Sequence, residues 1–279
     1  MTRATANTPL VCSEEDYQTF KKFLSNASGI ELGDGKEYLV VSRLNGLLRQ
    51  YKLANMKELL SALTAGSNLR LRADVVDAMT TNETFWFRDA PHFRLLMSKI
   101  FPEVGAQRLR IWSAACSSGQ EPYSISMQVH DYRMRNPGRL NDVEIVSTDI
   151  SASILNEARK GIYSGLSASR GLDDEQRRRY FSTHAEGYEV KPDIKKRIRF
   201  QEFNLTRDFA SLGRFDVIFC RNVLIYFPPA VKQDIIHRMS KILRPGGYLF
   251  LGSTESMPAK SNVFDMVSEQ GGIIYQLKK

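Results

Sequence analysis

The stretch from residue 111 to 124, IWSAACSSGQEPYS, constrains this chain more than any other. It begins as a buried strand, Ile111-Trp112, and then gives up every large side chain from Ser113 through Gly119. Glu121-Pro122-Tyr123 follows at once, and proline near the first helical position marks a helix start. A strand that turns through small residues into a helix belongs to a parallel α/β sheet, whose ligands lie beyond the carboxyl ends of the strands. Small residues there let a ligand lie against the backbone. A dinucleotide would require G-x-G-x-x-G, so that its pyrophosphate could reach helix N-terminal amides. Gly119 is the only glycine in this loop, which points to a ligand with a nucleoside and no pyrophosphate.

Asp149 strengthens that reading. It closes the next strand, VEIVSTD, at the place where such folds put the acid that holds ribose hydroxyls. Glu121 adds a second carboxylate. Each has a plainer role when taken singly: Glu121 could stabilise a helix N-terminus and Asp149 could cap the next helix. At two successive strand ends they suit a ligand with hydroxyl donors, an ammonium and a sulfonium. S-adenosylmethionine carries all three.

The rest of the chain sorts into two styles. Residues 1–80 read as helices only. Ser13 is a candidate N-cap ahead of an apolar stripe of Tyr17, Phe20, Phe23 and Leu24; Tyr38, Val41, Leu44, Leu48 and Tyr51 repeat at helical spacing. Further helical patterns run from Met56 to Leu63 and from Leu69 to Met79. From residue 108, strands alternate with helices, which implies a mainly parallel, doubly wound sheet covered on both faces. Its strands are Leu109–Trp112, Val143–Asp149 and Phe215–Cys220, then one after RPGG and one in GGIIYQLKK. Its helices are Glu121–Tyr132, Ser151–Arg159 and Pro229–Leu243. Residues 164–200 fit this alternation badly, and GYEV and RIRFQEF read as short antiparallel strands of an inserted subdomain. The division expected is therefore a helical domain over 1–80 and an α/β domain over 81–279.

Composition narrows the function classes. No apolar run approaches the ~18 residues needed to span a bilayer, and the N-terminus has no secretory hydrophobic core. Cys12, Cys116 and Cys220 are too few and too far apart for a disulfide framework or a zinc site, and read as reduced thiols of a cytoplasmic protein. The four histidines are equally scattered, so no metal is expected. A net charge of +8 favours acidic partners.

Six stretches occur in order from residue 80 onward: TTNETFWFRDAPHF, RIWSAACSSGQEPYSISM, STDIS, FNLT, FDVIFCRNVLIYF and LRPGGYLFLGSTES. Together they resemble the CheR family, the chemotaxis receptor glutamate methyltransferases. The resemblance implies a Rossmann-like methyltransferase domain with S-adenosylmethionine as cofactor. It places Asn82, Thr84 and Arg88 at the cofactor site, with Glu121 and Asp149. Asn204-Leu205 would flank the adenine, and Arg221-Asn222 would complete the binding set. Arg88 and Tyr226 are the candidate catalytic residues. Without the resemblance, Asn82 and Thr84 read as helix punctuation, Phe85, Trp86 and Phe87 as packing, and Tyr226 as a core residue.

The implied partners are the cytoplasmic helices of methyl-accepting chemoreceptors, approached by a monomer with no membrane insertion. Basic clusters at Lys36, Arg43, Arg49, Lys52 and Lys57, at Arg177–Arg179 and at Lys195–Arg199 are candidate docking faces, or simply solvated ones. A nucleic-acid methyltransferase would also suit the basic charge. Against it, CRNVLIYFPPA lacks the Asp/Asn/Ser-Pro-Pro-aromatic motif of many base methyltransferases, so no nucleic acid is expected. A non-catalytic adaptor that binds S-adenosylmethionine is the third reading. The inserted segment looks short beside relatives that use it to add a receptor's C-terminal peptide as an edge strand. Pro192 would remove a backbone donor from any strand there, so docking without such a tether is expected.

Overall fold

The computed structural model describes residues 11–105, 107–258 and 262–279. They divide into two compact units between Thr81 and Asn82. The first unit holds α1 (Glu14–Ser28), α2 (Glu37–Gln50), α3 (Met56–Ala65) and α4 (Leu69–Met79). Ser13 caps α1 in a full capping box with Asp16, as its position before the apolar stripe suggests. The stripe of α2 contains Leu44 and Leu48 as expected, but begins at Val40 and not at Tyr38. Val40, Leu44 and Leu48 are buried and Tyr38 is 65% exposed. Two residues separate Val40 from Tyr38, about 200° around a helix, so both cannot face the core.

Arg43 also departs from its expected role as a docking cation. Its guanidinium donates to the carbonyls of Met79 and Thr80, both at 2.7 Å, and to Thr81 Oγ1 at 3.0 Å. Carbonyls at a helix end lack intrahelical partners, so Arg43 serves as the C-terminal cap of α4. Arg49 remains exposed.

The second unit opens with α5 (Ala90–Leu95), a π-helical turn (Leu96–Ile100) and α6 (Phe101–Val104). There follow β1 (Leu109–Ala114), α7 (Gln120–Arg135), β2 (Val143–Asp149) and α8 (Ala152–Lys160). The insert comprises β3 (Ile162–Tyr163), α9 (Gly165–Ser169), α10 (Asp174–Tyr180), β4 (Phe181–His184), β5 (Gly187–Val190) and α11 (Pro192–Lys195). The main sheet resumes with β6 (Ile198–Glu202), β7 (Phe215–Cys220), α12 (Pro229–Ile242), β8 (Leu243–Leu251), β9 (Phe264–Glu269) and β10 (Gly272–Leu277).

Seven strands lie in the order β6-β2-β1-β7-β8-β10-β9. The first five are parallel, and β10 and β9 complete the sheet antiparallel. Alternation along the strands sends Ile111, Val217, Phe219 and Phe250 to one core and Trp112, Ile218, Cys220 and Leu249 to the other. Strands buried on both faces need apolar residues at nearly every position, which is why FDVIFC reads as an unbroken run. Phe219 and Phe250 stack across adjacent strands with centroids 4.2 Å apart.

The insert forms a separate antiparallel sheet, β3-β5-β4. One expectation about it fails. RIRFQEF is not one of its strands: β6 pairs in parallel with β2, from Ile145 opposite Ile198 to Asp149 opposite Glu202. Its residues are only partly covered, so the run looked like an edge hairpin. Pro192 lies at the first position of α11 and not in a strand, where its missing N–H is harmless.

The basic cluster at the end of the insert is largely tied to the protein itself. Lys195 bonds Glu189 and the Lys160 carbonyl, Lys196 pairs with Asp193, Arg197 donates to Ser126, and Arg199 stands 3.9 Å from Glu144. Burial lowers the Arg197 pKa to about 10.

Candidate functional site

The carboxyl ends of β1, β2, β6, β7 and β8 form one rim of the sheet, and the residues singled out from sequence gather along it. The loop after β1 shows why small side chains are required. Ala115 has φ 57°, Ser117 φ 51° and Gly119 φ 95°. A left-handed residue other than glycine costs roughly 1–2 kcal/mol. Among the described residues eight non-glycine positions have positive φ, and five of them, Phe87, Asp89, Ala115, Ser117 and Asn222, belong to this rim. Strain concentrated in this way is characteristic of sites built for ligands.

The turn holds Asp149 in place. Ser117 N donates to Asp149 Oδ2 at 2.8 Å and Ser151 N to Oδ1 at 3.0 Å, and Asp149 is 5% exposed. Ser117 Oγ donates to the Asn82 carbonyl at 2.9 Å, which brings the segment before α5 against the same loop. Phe203 N donates to the Asp149 carbonyl at 2.8 Å, so Asn204 follows directly beside that acid. The Asn204 side chain accepts from Thr206 N and Oγ1 in an Asx turn. Leu205 is buried in the core, and its carbonyl accepts from Arg238.

Glu121 reaches across the rim instead of capping its own helix. One carboxylate oxygen accepts from Ser113 Oγ at 2.7 Å and the other from Arg221 Nη1 at 2.7 Å. Burial raises the Glu121 pKa, and the Arg221 charge opposes the rise. Arg221 is the most enclosed of the group, its side chain 2% exposed. It also donates to Asp89 Oδ2 at 2.7 Å and to the Arg88 carbonyl at 2.5 Å. Burial works against the charge of Asp89, yet Arg221 and Ser253 hold its carboxyl below the usual range. Glu121, singled out from its place after the first strand, and Arg221, from the resemblance, are thus a buried ion pair. That pair joins β1, α7, β7 and the segment carrying Arg88.

Arg88 itself is half-buried and only lightly engaged. Its Nη1 donates to the Glu83 carbonyl at 3.1 Å, and its guanidinium lies 5.5 Å from the Phe85 ring. Among the described residues it forms no ion pair, although its charge is felt at Glu121. Arg170 of the insert covers Phe85 at 4.4 Å and pairs with Glu83 at 3.0 Å. Trp86 is fully buried and donates to the Ser167 carbonyl, a packing role as expected. Thr84 is half-buried between Asn82 and Arg88 and makes no side-chain hydrogen bond among the described residues. Tyr226 ends a 3-10 turn, Leu224–Tyr226, directly after β7, half-buried and with no hydrogen bond to its hydroxyl among the described residues.

Asn222 follows β7 with φ 57°, and its N–H donates to Glu255 Oε2 at 2.7 Å. Glu255, Asp89, Ser113 and Ser117 are site-forming residues that sequence reasoning passed over. All four lie inside quoted motifs, but motifs do not say which side chain turns inward.

The donor set fits S-adenosylmethionine. Asp149 is a carboxylate with about four acceptor positions, fixed by two backbone amides where a ribose acid belongs. Glu121 places a carboxylate, paired with Arg221, next to the strained loop, and residues 113–119 themselves carry only small side chains. Among the described residues no group of three or more histidines, cysteines or acids could hold a metal.

The family model described as "CheR methyltransferase, SAM binding domain" matches residues 82–273, and "CheR methyltransferase, all-alpha domain" matches residues 15–80. A chemotaxis protein methyltransferase of Vibrio parahaemolyticus is 48% identical over 274 residues, covering 97% of this chain and all of the relative. Chemotaxis protein methyltransferase 1 of Pseudomonas aeruginosa is 48% identical over 94% of this chain and 98% of its own length. The Salmonella typhimurium protein of the same description is 34% identical over 97% and 92%.

Proposed function

Since this chain belongs to the CheR methyltransferase family and takes S-adenosylmethionine as cofactor, we propose that it makes glutamyl methyl esters on the cytoplasmic helices of chemoreceptors. The observation that carries the proposal is the contrast between the two arginines of the site. Arg221 is consumed by Glu121 and Asp89. Arg88 has a single hydrogen bond and no ion pair among the described residues, so its planar fork can receive an acceptor carboxylate.

The cofactor supplies an electrophilic methyl group on a sulfonium. A glutamate acceptor, with an ordinary pKa of about 4.3, is already ionised at neutral pH and needs no general base. What remains for the protein is to desolvate and align. Positioning of reacting groups can provide roughly 7 to 11 kcal/mol. Arg88 holds one face of the acceptor carboxylate, and Tyr226 offers a hydroxyl to orient it. Asp149, Glu121, Asn82, Thr84, Asn204, Leu205 and Asn222 shape the cofactor cradle, while Arg221 locks that cradle to the backbone of Arg88. Pro228 and Pro229 serve as N-cap and first residue of α12, a structural use that agrees with a protein acceptor over a nucleic-acid base. No helix among the described residues is long and apolar enough to cross a membrane, and the reading places the enzyme in the cytoplasm.

The test offers methyl-labelled cofactor with chemoreceptor fragments and with RNA, followed by mild alkali. Label released as methanol from the receptor fragment supports the proposal. Label retained on RNA, or transfer to neither, refutes it.

A further inference from the structure

Glu255 lies in the loop after β8 and far from Asn222 in sequence, yet its carboxylate collects the backbone of the neighbouring rim loop. Oε2 accepts from Gly252 N at 2.8 Å and from Asn222 N at 2.7 Å, and Oε1 accepts from Ile225 N at 3.3 Å. Two of these donors belong to the turn after β7. Asn222 carries a left-handed backbone at φ 57°, a region that asparagine enters more readily than most residues. Ile225 lies inside the 3-10 turn that ends at Tyr226.

Gly252 shows how closely these groups are fitted. A Cβ at that position would stand 2.5 Å from Asn222 Nδ2, 2.8 Å from Glu255 Oε2 and 2.9 Å from Asn222 N. The glycine therefore makes room for the carboxylate and the asparagine to meet. Unmet backbone N–H groups in a half-buried loop are costly, and an ionised acceptor makes stronger hydrogen bonds than a neutral one.

We infer that Glu255 is a positioning residue of the transfer site. It fixes Asn222 and the turn bearing Tyr226 in the geometry that receives the cofactor, without touching the cofactor itself. This rests on the reading of Asn222 as part of the cofactor cradle.

The experiment measures S-adenosylmethionine affinity by calorimetry on the full chain, for wild type, Glu255→Ala, Glu255→Gln and Asn222→Ala. Tyr248→Phe, which removes a hydrogen bond to Glu103 from the middle of β8, is the destabilised control. Glu255→Ala is expected to raise the dissociation constant about tenfold or more. Glu255→Gln, which keeps one acceptor oxygen, should raise it about two- to fivefold, and Tyr248→Phe should leave it unchanged. The inference is overturned if both Glu255 variants bind as wild type, or if Tyr248→Phe weakens binding as much as Glu255→Ala. Should Glu255→Ala not fold, the intermediate loss in Glu255→Gln decides the question. Weakened binding in Asn222→Ala with normal binding in both Glu255 variants defeats this inference alone. Normal binding in all three removes Asn222 from the cradle and leaves the methyl-ester assay to judge the transfer reaction.

Discussion

Removing Arg221 should destabilise the second unit by an amount that depends on pH. The Arg221 side chain is 2% exposed and meets Glu121 and Asp89, each at 2.7 Å, whose side chains are 12% and 19% exposed. Arg221→Met would leave two enclosed carboxylates without a counter-charge. Breaking a buried ion pair from one side costs about 3–5 kcal/mol, and that range is expected at about pH 7.5. The two acids respond to pH in opposite ways in the wild type. Asp89, with its pKa held down, contributes stability above the ordinary carboxylate range and loses it as pH falls. Glu121, raised by burial, favours the fold below its unfolded pKa and loses that contribution as pH rises through its folded value. Without Arg221 both pKa values move upward, so the variant's deficit should shrink as pH drops from about 7.5 toward about 5. The chain has two tryptophans, Trp86 and Trp112, both in the second unit. Urea unfolding followed by tryptophan fluorescence therefore reports that unit by itself. Neutralising the partners as well, in Glu121→Gln/Asp89→Asn/Arg221→Met, should recover more than half of the loss. A deficit below about 1 kcal/mol, or one that does not change with pH, would refute the reasoning.

Asp149→Ala should weaken S-adenosylmethionine binding by about 1.5–3 kcal/mol in calorimetry, and unchanged affinity would remove the acid from the cradle. Arg88→Ala should lower turnover more than cofactor affinity, and Arg88→Lys should not restore the rate, because a point charge lacks the planar fork; equal loss of binding and turnover would assign Arg88 to the cofactor. Arg49→Glu should raise the Michaelis constant for receptor in a salt-sensitive way, whereas Arg43→Glu should chiefly lower the melting temperature, since Arg43 caps α4. An aromatic-acidic peptide with the sequence of a receptor C-terminus should give no heat with this enzyme; β4 ends its sheet with one edge unpaired by any described strand, and micromolar binding there would defeat the tether-free reading. Burial pushes the thiols of Cys116 and Cys220 well up, so their alkylation at about pH 8 should be slow until urea is added.

The parallel strands were legible because burial on both faces leaves an apolar run no other structure explains, as in FDVIFC. The turn after β1 was legible for a related reason: small residues between a strand and a helix start have few uses besides ligand approach. Asp149 stood out because it closes the second parallel strand, where the structure places it buried against the loop after β1. β6 and β9 were harder to see, since edge strands are half-exposed and β9 carries the burial of a single residue, Phe264. In α2 the pattern finds Leu44 and Leu48 but includes the exposed Tyr38, because tyrosines satisfy an apolar pattern while remaining at the surface.

Sequence alone determined the doubly wound sheet and the helical first unit, because these follow from local pattern, and the family resemblance of motifs contiguous in the chain supplied part of the residues along the rim. It could not decide which rim residues face a ligand and which face one another. Glu121 and Arg221 stand 100 positions apart, and Asn222 and Glu255 are separated by 33. Only the parallel pairing of β1, β7 and β8 brings their carboxyl ends together. Once together, a buried charge takes the nearest opposite charge and an unmet N–H takes the nearest carboxylate. Tertiary proximity, which no spacing rule encodes, therefore made Arg221 a strut, left Arg88 without an ion pair among the described residues, and gave Glu255 its place behind Asn222.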